Sequence, residues 1–287
     1  MSEKDWELVP YSPVFRQRVL GLMAEVQGHE TSEAEFVWWF EQNPTKDLNI
    51  FLAVSGDRVI GVSCHNTFLM SIAGKREIIS FPLNVLTHED FRGRGIFSAL
   101  EKANERHAEQ FSFMLSYPNA ASTPIFVKMG WERLLAPRLL VRPRRLDRLM
   151  RAVDRVAPIS LLGRLANPFL QADVGRRSSL KLEPIERFET WADDLFAANE
   201  PRLGACIVRD SRYLNWRFVD DPNKKFTAFR ALRGKTTVGY VVVGLTQKKG
   251  CRVAFLASGL LAPDIPNMAD ELRALARGPL EIGRAHV

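Results

Sequence analysis

The chain has 287 residues, of which 46% are hydrophobic and 25% are charged, and its formal net charge is +7. This length allows one domain or two, and the composition is that of a globular protein with enough apolar residues to build a core. The N-terminal residues lack the apolar segment of a signal peptide, and no apolar run approaches the roughly 18 residues that cross a membrane. We therefore expect a cytoplasmic protein without a transmembrane segment.

The cysteines indicate neither disulfides nor a metal centre. Cys64, Cys206 and Cys251 are scattered along the chain, which excludes a disulfide framework and a paired-cysteine metal site. Each cysteine is expected to be a small core residue rather than a nucleophile, and no metal is expected.

The first fifty residues predict a strand and two helices. Residues 6–9 predict the strand, and apolar residues at helical spacing predict a helix over 14–26. Ser32 and Glu35 have the spacing of a capping box, which predicts a second helix that ends near Pro44.

A hairpin and a further strand should follow. The aromatic run at 38–40 is expected to pack in the core rather than line a substrate cleft. Residues 50–54 and 59–64 flank a Gly-Asp turn and predict a hairpin, whose second strand continues to about residue 72. A turn at 73–75 then leads into another strand.

Residues 83–100 read as a strand, a basic glycine-containing loop and the start of a helix. Gly93 and Gly95 permit a sharp turn and close approach of a ligand. The free N–H groups of a helix that begins near Ile96, together with Arg92 and Arg94, favour binding of a phosphate. The loop lacks the Gly-Lys-Ser/Thr of a Walker loop and the third glycine of a dinucleotide fingerprint.

Residues 113–131 add a second local pattern. Residues 113–117 predict a short strand, and Asn119 begins a turn. Ser122 is expected to cap a short helix that ends at Gly130, and a strand should start at Trp131.

Together, the two patterns resemble the GCN5-related N-acyltransferase (GNAT) superfamily over roughly residues 6–143. The pyrophosphate motif of that family, Arg/Gln-x-x-Gly-x-Gly/Ala, matches residues 92–97 except that Phe97 stands where glycine or alanine is usual. The family's second motif is matched at five positions: Asn119, Ser122, Phe126, Gly130 and Trp131. The resemblance implies an α/β fold with a mixed sheet, and acyl transfer from acyl-CoA, with acetyl-CoA as the expected co-substrate.

The resemblance also implies which residues bind acetyl-CoA. The ten positions are Leu86, Thr87, Arg92, Gly93, Arg94, Gly95, Ile96, Phe97, Asn119 and Phe126. In this family, two strands splay apart so that pantetheine bonds to the backbone, for which Leu86 and Thr87 are the candidates. A backbone N–H near Leu86 would stabilise the oxyanion.

The acid and the base are not identified by the sequence. Many family members carry a tyrosine as the acid at the position of Phe126, which has no hydroxyl, so that role is vacant or is filled by water or by Tyr117. The base candidates on or near the strands are His65, His88, Glu77 and Glu89, and none is assigned.

The second half of the chain repeats the first at a shift of 178 residues. The matched pairs are Ser32 with Asp210, Trp38 with Trp216, Phe40 with Phe218, Pro44 with Pro222, Phe51 with Phe229, Gly56 with Gly234 and Gly61 with Gly239. Because the order is kept without a gap, we expect a tandem pair of related domains. Residues 229–232 and 238–244 should form a hairpin.

We predict three segments. Residues 1–143 form a GNAT domain, 144–180 a basic helical linker, and 181–287 a second, truncated GNAT-like domain. At the shift of 178, the phosphate loop falls on residues 270–273, which contain two carboxylates and no glycine. The second copy should therefore not bind CoA, and its sheet should have an unpaired edge with uncovered apolar surface.

The last residues, 281–287, back-translate to a sequence that resembles a sequencing-library adaptor. We expect them to be non-native and the natural chain, which resembles tandem bacterial members of the family, to be longer.

Three functions remain open. The first is N-acetyl transfer from acetyl-CoA to an amine of a small metabolite or amino sugar. The second is aminoacyl transfer from tRNA, as tandem relatives of the fold perform in cell-wall synthesis. The intact Arg-Gly loop argues for CoA and against nucleic acid. The third is a catalytically silent CoA-binding module, which the missing hydroxyl of Phe126 favours. The acceptor and the oligomeric state are not indicated.

Overall fold

The structure is a computed structural model that describes residues 5–107, 112–134, 178–248 and 251–282. The described residues pack as two compact units. The first comprises those of 1–133 and 196–223, and the second those of 134–195 and 224–287.

The secondary structure alternates helices with long antiparallel strands. The strands are β1 (Glu7–Pro10), β2 (Asn49–Ser55), β3 (Arg58–Ile72), β4 (Lys75–Thr87), β5 (Lys181–Ile185), β6 (Ala205–Ile207), β7 (Phe226–Arg233), β8 (Thr236–Lys248) and β9 (Cys251–Leu261). The helices are α1 (Arg16–Gln27), α2 (Glu33–Phe36), α3 (Ile96–His107), α4 (Thr123–Lys128), α5 (Thr190–Asn199), α6 (Ser211–Leu214) and α7 (Met268–Ile282). α2 and α6 each continue into a π-helical turn, Val37–Glu41 and Asn215–Val219.

The first unit is built on one sheet with helices on both faces. Its strand order is β1-β2-β3-β4, and β6 pairs with the far end of β3. Apolar residues of α1, α2, β2 and β3 form the core of one face, and Ile96 and Leu100 of α3 pack on the other. Gly61 permits this second contact, since a Cβ there would lie 2.7 Å from Ile96. The expected α/β fold is thus confirmed. The described strands of this sheet pair antiparallel, and the parallel pairing expected of a mixed sheet is limited, among the described residues, to one bridge.

Most predicted elements of the first unit are confirmed, and the stretch after α3 differs in detail. Residues 113–117 contribute one parallel bridge, between Ser80 and Met114, rather than a full strand. Ser122 precedes α4, but its hydroxyl forms no capping bond. The turn is held by Asn119 instead, whose side-chain oxygen accepts from the backbone N–H groups of Ala121 and Ser122. Residues 131–134 are irregular, so the strand predicted from residue 131 is absent from that described stretch.

The aromatic run at 38–40 packs in the interior, as predicted, but through contacts that the sequence does not show. Trp38 and Trp216 exchange hydrogen bonds, each indole N–H donating to the other's backbone carbonyl, at 2.7 and 2.9 Å. These two residues lie exactly 178 positions apart in the chain. The reciprocal pattern is that of a local pseudo-two-fold axis between the two π-helical turns.

The second unit has a four-stranded antiparallel sheet in the order β5-β7-β8-β9. α7 packs on it through Leu272, Leu275 and Ala276. The predicted hairpin is confirmed, because β7 pairs with β8 around Gly234. Among the described residues β9 pairs only with β8, and four apolar side chains of this hairpin are exposed, as expected for an unpaired edge: Leu245, Val253, Phe255 and Leu256.

Structural details repeat at the same shift of 178. Ser32 and Asp210 each accept a backbone N–H three residues ahead, from Glu35 and Tyr213. The pairing of β2 with β3 slips between Ala53 and Val54, and that of β7 with β8 slips between residues 231 and 232. These matches support a repeat of the opening half of the fold.

The shift is not constant along the repeat. Gly61 pairs with Thr87, whereas its counterpart Gly239 pairs with Leu261, so the shift is 174 for β4 and β9. Residues 270–273, which the gapless shift placed on the phosphate loop, therefore lie inside α7, and that alignment is wrong. The connection that corresponds to residues 88–95 is 262–267.

Several predictions lie outside the described residues. Most of the predicted basic helical linker over 144–180 is among them, as are residues 283–287. Among the described residues, no helix is long and apolar enough to span a membrane. Cys64 is buried as predicted, and burial raises the pKa of its thiol.

Candidate functional site

The predicted phosphate loop opens directly onto the start of α3. Gly93 and Gly95 both have φ of 77°, a left-handed conformation that glycine adopts without strain. The first helical hydrogen bond runs from the Ala99 N–H to the Gly95 carbonyl at 3.0 Å, which leaves the N–H groups of Ile96 and Phe97 without helical acceptors. A Cβ on either glycine would meet no atom within 4 Å. The loop therefore presents free donors to open space.

The two arginines of the loop are not equivalent. Arg94 donates to Asp5 at 3.0 Å and to the Asp90 carbonyl at 3.3 Å, and its guanidinium lies 4.8 Å from the centre of the Phe91 ring. Arg92 is exposed, and its guanidinium bonds to none of the described residues, although its backbone N–H donates to the Glu89 carbonyl. Arg92 is thus the cation of this loop that is available to an anion.

A free strand edge leads from the interior to this loop. The segment after residue 112 pairs with β4 only as far as Ser80, whose carbonyl accepts from the Leu115 N–H at 3.1 Å. Beyond Pro82, residues 83–87 pair with β3 on one side and with no described strand on the other. Five residues span about 17 Å, and their unpaired backbone groups can bond to an extended ligand. Leu86 and Thr87 belong to this edge.

Two residues that depart from the family pattern contact each other. Phe97 stands where the motif has a small residue, and Phe126 stands where many members have tyrosine. Their rings meet edge to face with centroids 5.6 Å apart, and Trp131 packs on the other side of Phe126 at 4.8 Å. Phe126 is only 4% exposed. Phe126 and Asn119 therefore support the site through packing and turn geometry.

The candidate residues for proton transfer differ in burial and in their hydrogen-bond partners. His65 is fully buried, so no substrate can reach it. Hydrogen bonds from Lys75 and Ser112 lower the pKa of Glu77, which makes that carboxylate a poorer base. His88 lies between Arg58 and Glu25 just before the loop.

Tyr117 is the accessible hydroxyl near the point where the strands part. It is 65% exposed, and its ring lies 5.7 Å from that of Phe81 on β4. It follows Leu115, the last residue whose backbone bonds to β4 in this region.

A cavity of about 250 Å³ lies at the opposite edge of β3, among Asn43, Thr45, Thr67 and Trp216. Asn43 bonds to the Thr67 carbonyl and to Thr45, and the two threonine hydroxyls bond to each other. Since these polar groups satisfy one another, we do not place the transfer site there.

Sequence reasoning did not single out Glu101 of α3. Its carboxylate is fully buried beneath the strip formed by the loop and the free edge, where it accepts from Ser63 at 2.5 Å and lies 3.3 Å from His65 Nε2. The residue is flanked in sequence by Leu100 and Lys102, so its position alone gives no signal of burial.

The comparisons with known proteins bear on this geometry. The sequence model of the acetyltransferase (GNAT) domain matches residues 11–134. Residues 11–134 are thus similar to GNAT domains. The match covers the free edge, the loop, α3 and α4, so the site described above lies within that domain. No curated protein sequence matches the chain.

Solved structures show the same fold over nearly the whole chain. A GCN5-related N-acetyltransferase from Anabaena variabilis aligns with a TM-score of 0.63 at 10% identity, over 96% of this chain and 63% of its own. N-myristoyltransferase of Saccharomyces cerevisiae with bound myristoyl-CoA aligns with a TM-score of 0.62 at 12% identity, over 99% and 75%. A probable N-acyltransferase from Enterococcus faecalis gives 0.62 at 11% identity, over 98% and 63%.

These likenesses establish a GNAT acyltransferase fold and, at such low identity, nothing finer. The chain spans about 63% of the length of the Anabaena and Enterococcus proteins.

Proposed function

We propose that the protein is an acyltransferase that moves an acetyl group from acetyl-CoA to an amine of a small metabolite or amino sugar. The observation that carries this proposal is the continuous strip in the GNAT domain. The strand edge at 83–87, which pairs with no other described strand, runs into a glycine loop with free N–H donors at the start of α3. The strip offers backbone groups to an extended chain and a positive end to a phosphate.

Each part of the strip would perform one task. The N–H groups of Ile96 and Phe97, with Arg92, would hold the pyrophosphate. The backbone of 83–87 would align the pantetheine, and a backbone N–H near Leu86 would stabilise the oxyanion. The charged acceptor amine must lose a proton before attack, and the departing thiolate must gain one. Tyr117, exposed where the strands part, is the proposed donor of that proton.

The direct test is acetyl transfer from acetyl-CoA to a panel of small amines and amino sugars, followed by mass spectrometry. We expect at least one acetylated product. If Tyr117 is the acid, Tyr117→Phe should lower kcat by about 10²-fold while leaving the affinity for acetyl-CoA within about threefold. A Tyr117→Phe variant with unchanged kcat would contradict the assignment of Tyr117 and leave the transferase proposal standing.

A second candidate is a catalytically silent CoA-binding module. Phe126, buried between Phe97 and Trp131, favours it because no hydroxyl stands there. Saturable binding of acetyl-CoA without transfer to any amine of the panel would support this candidate over the transferase. Phe126→Tyr should retain acetyl-CoA binding in either case, and increased turnover in that variant would favour the transferase.

The proposal retains the predicted organisation: a GNAT domain over 1–143, a linker over 144–180 and a second GNAT-like segment over 181–287. It also retains a cytoplasmic location and a small-molecule acceptor rather than nucleic acid. The tandem repeat is supported by the matching caps, register slips and tryptophan pair at a shift of 178.

A further inference from the structure

A polar cluster is buried between α3 and the sheet of the first unit. Because a carboxylate only accepts hydrogen bonds, His65 Nε2–H donates to Glu101 at 3.3 Å, and His65 Nδ1 accepts from the Ser80 hydroxyl at 3.0 Å. Ser63 donates to the same Glu101 oxygen, and Asn49 donates to Ser80 at 3.1 Å. All five residues are at most 1% exposed.

Burying this cluster costs folding free energy. A buried carboxylate loses its hydration, and paired interactions regain that free energy only when every lone pair is satisfied. Here Glu101 Oε2, Asn49 Oδ1 and Asn104 Oδ1 are buried and have no hydrogen-bond partner among the described residues. A buried carboxylate held by hydrogen bonds is weak evidence for stability, since apolar residues of similar volume often stabilise the fold as well or better.

In the second unit, apolar residues occupy the corresponding positions. In both sheets the long hairpin has a register slip at the same place, between Cys64 and His65 in β3 and between residues 242 and 243 in β8. Ser63 and His65 therefore correspond to Val241 and Val243. Both valines are buried in one cluster with the apolar residues that α7 presents, Leu272, Leu275 and Ala276.

The unit that has the glycine loop therefore has the polar cluster. The unit that lacks the loop has apolar residues at the corresponding positions of the same strand arrangement. The polar cluster joins β3 to the two elements that make the binding strip, which are β4, next to the point where its edge becomes free, and α3, whose first turn follows the loop. Hydrogen bonds are directional, whereas apolar contacts are not. The cluster can fix the rotation and axial position of α3 against β4 in a way that the valines and leucines of the second unit cannot.

We propose that Glu101 and His65 are positioning residues for acyl-CoA. They hold the start of α3 at the distance from the free edge of β4 at which one ligand can bind both. This inference rests on the proposed function. A ligand that spans two sites gains affinity only when the sites are held at its own spacing, because the second contact is then nearly free of entropic cost. Neither residue touches the ligand.

The test replaces the cluster with the residues that the second unit uses. In Ser63→Val/His65→Val/Glu101→Leu, we expect a melting temperature equal to or above that of the natural chain. Affinity for acetyl-CoA should fall at least about tenfold, while affinity for adenosine 3′,5′-bisphosphate, which reaches only the loop, should stay within about threefold. If the cluster only stabilised the fold, the melting temperature of this variant would fall and its relative affinity for the two ligands would not change.

A milder variant and a matched control keep the test decisive. Glu101→Gln retains the shape and should lower acetyl-CoA affinity in the same direction even if the triple variant does not fold. Lys102→Gln, on the exposed face of the same helix, should change neither affinity. If acetyl-CoA binds the natural chain and the Glu101→Gln variant equally well, the inference is overturned and the proposed function stands. If acetyl-CoA does not bind the natural chain at all, both are overturned.

Discussion

Two corresponding strand-to-helix connections, the one after β4 and the one after β9, differ although the strands that lead into them match. Residues 88–95 join β4 to α3 and contain Arg92, Gly93 and Gly95, while 262–267 join β9 to α7 and contain no glycine and no arginine. The second connection is two residues shorter. In the second, Asn267 takes a positive φ of 53° directly before the helix, as Gly95 does with a φ of 77° in the first. The positive-φ residue before the helix can thus be kept while the glycines and arginines of the loop are lost, so the scaffold and the ligand site are separable.

The largest expected effect comes from making the first loop resemble the second. Gly95→Asp adds a side chain at a φ of 77° and a negative charge where the phosphate would bind. We expect acetyl-CoA affinity to fall by more than about 100-fold, measured by isothermal titration calorimetry. Gly28→Asp is the matched control, since Gly28 has a φ of 74° and equally open surroundings at the end of α1. Affinity that falls equally in both variants would point to general strain and break the comparison.

The tryptophan pair tests whether the two repeated segments contribute equally to the free energy of unfolding. Trp38→Phe and Trp216→Phe each remove one indole donor and leave a buried carbonyl without its partner. Each should lower the free energy of unfolding by about 1–3 kcal/mol, and the two values should agree within about 0.5 kcal/mol. Chemical denaturation measures both. Values that differ by more than about 2 kcal/mol would show that the pseudo-two-fold contact is not energetically symmetric.

The two arginines of the first loop should differ in the same assay as Gly95→Asp. Arg92→Gln removes the free guanidinium and should weaken acetyl-CoA about tenfold, since a charge-assisted bond is worth about 1.5–3 kcal/mol before solvent exposure reduces it. Arg94→Gln should weaken it less than about threefold, because Arg94 is bound to Asp5. The reverse order would mean that Arg94 leaves Asp5 when the ligand binds.

The smallest effect concerns the caps at the shift of 178. Ser32→Ala and Asp210→Ala each remove a capping acceptor and should cost about 1 kcal/mol of stability. Ser12→Ala is the control, since Ser12 precedes a helical turn without forming a side-chain cap bond and should cost less than about 0.5 kcal/mol. If all three variants lost the same amount of stability, the capping bonds of Ser32 and Asp210 would not be a shared stabilising feature of the two segments.

Local signals explain what the sequence could predict. The hairpins at Gly56 and Gly234, the caps at Ser32 and Asp210, and the loop from Arg92 to the start of α3 all depend on residues within a few positions of one another. Turn chemistry and helix capping act over that range, and the structure has each of these features where they were expected.

Features that depend on distant residues could not be predicted. A gapless shift of 178 cannot reveal that the shift falls to 174 between β4 and β9, because this change arises from the length of the paired strands. β3 pairs with β4 as far as Ile72, whereas β8 pairs with β9 only as far as Lys248, two residues short of the position that a shift of 178 gives. The bonds between Trp38 and Trp216 depend on backbone carbonyls that no sequence pattern marks. Glu101 occupies a helical position beside Leu100, where period alone does not decide between a buried and a solvated carboxylate.

The central claim is that acetyl-CoA binds the strip of the first unit and not its counterpart in the second. Hydrogen–deuterium exchange of the full chain, with and without saturating acetyl-CoA, tests it in one experiment. We expect slower exchange over residues 83–97, where backbone N–H groups would be covered, and no change over 257–271. Protection of 257–271, or no protection of 83–97 at saturation, would contradict the account.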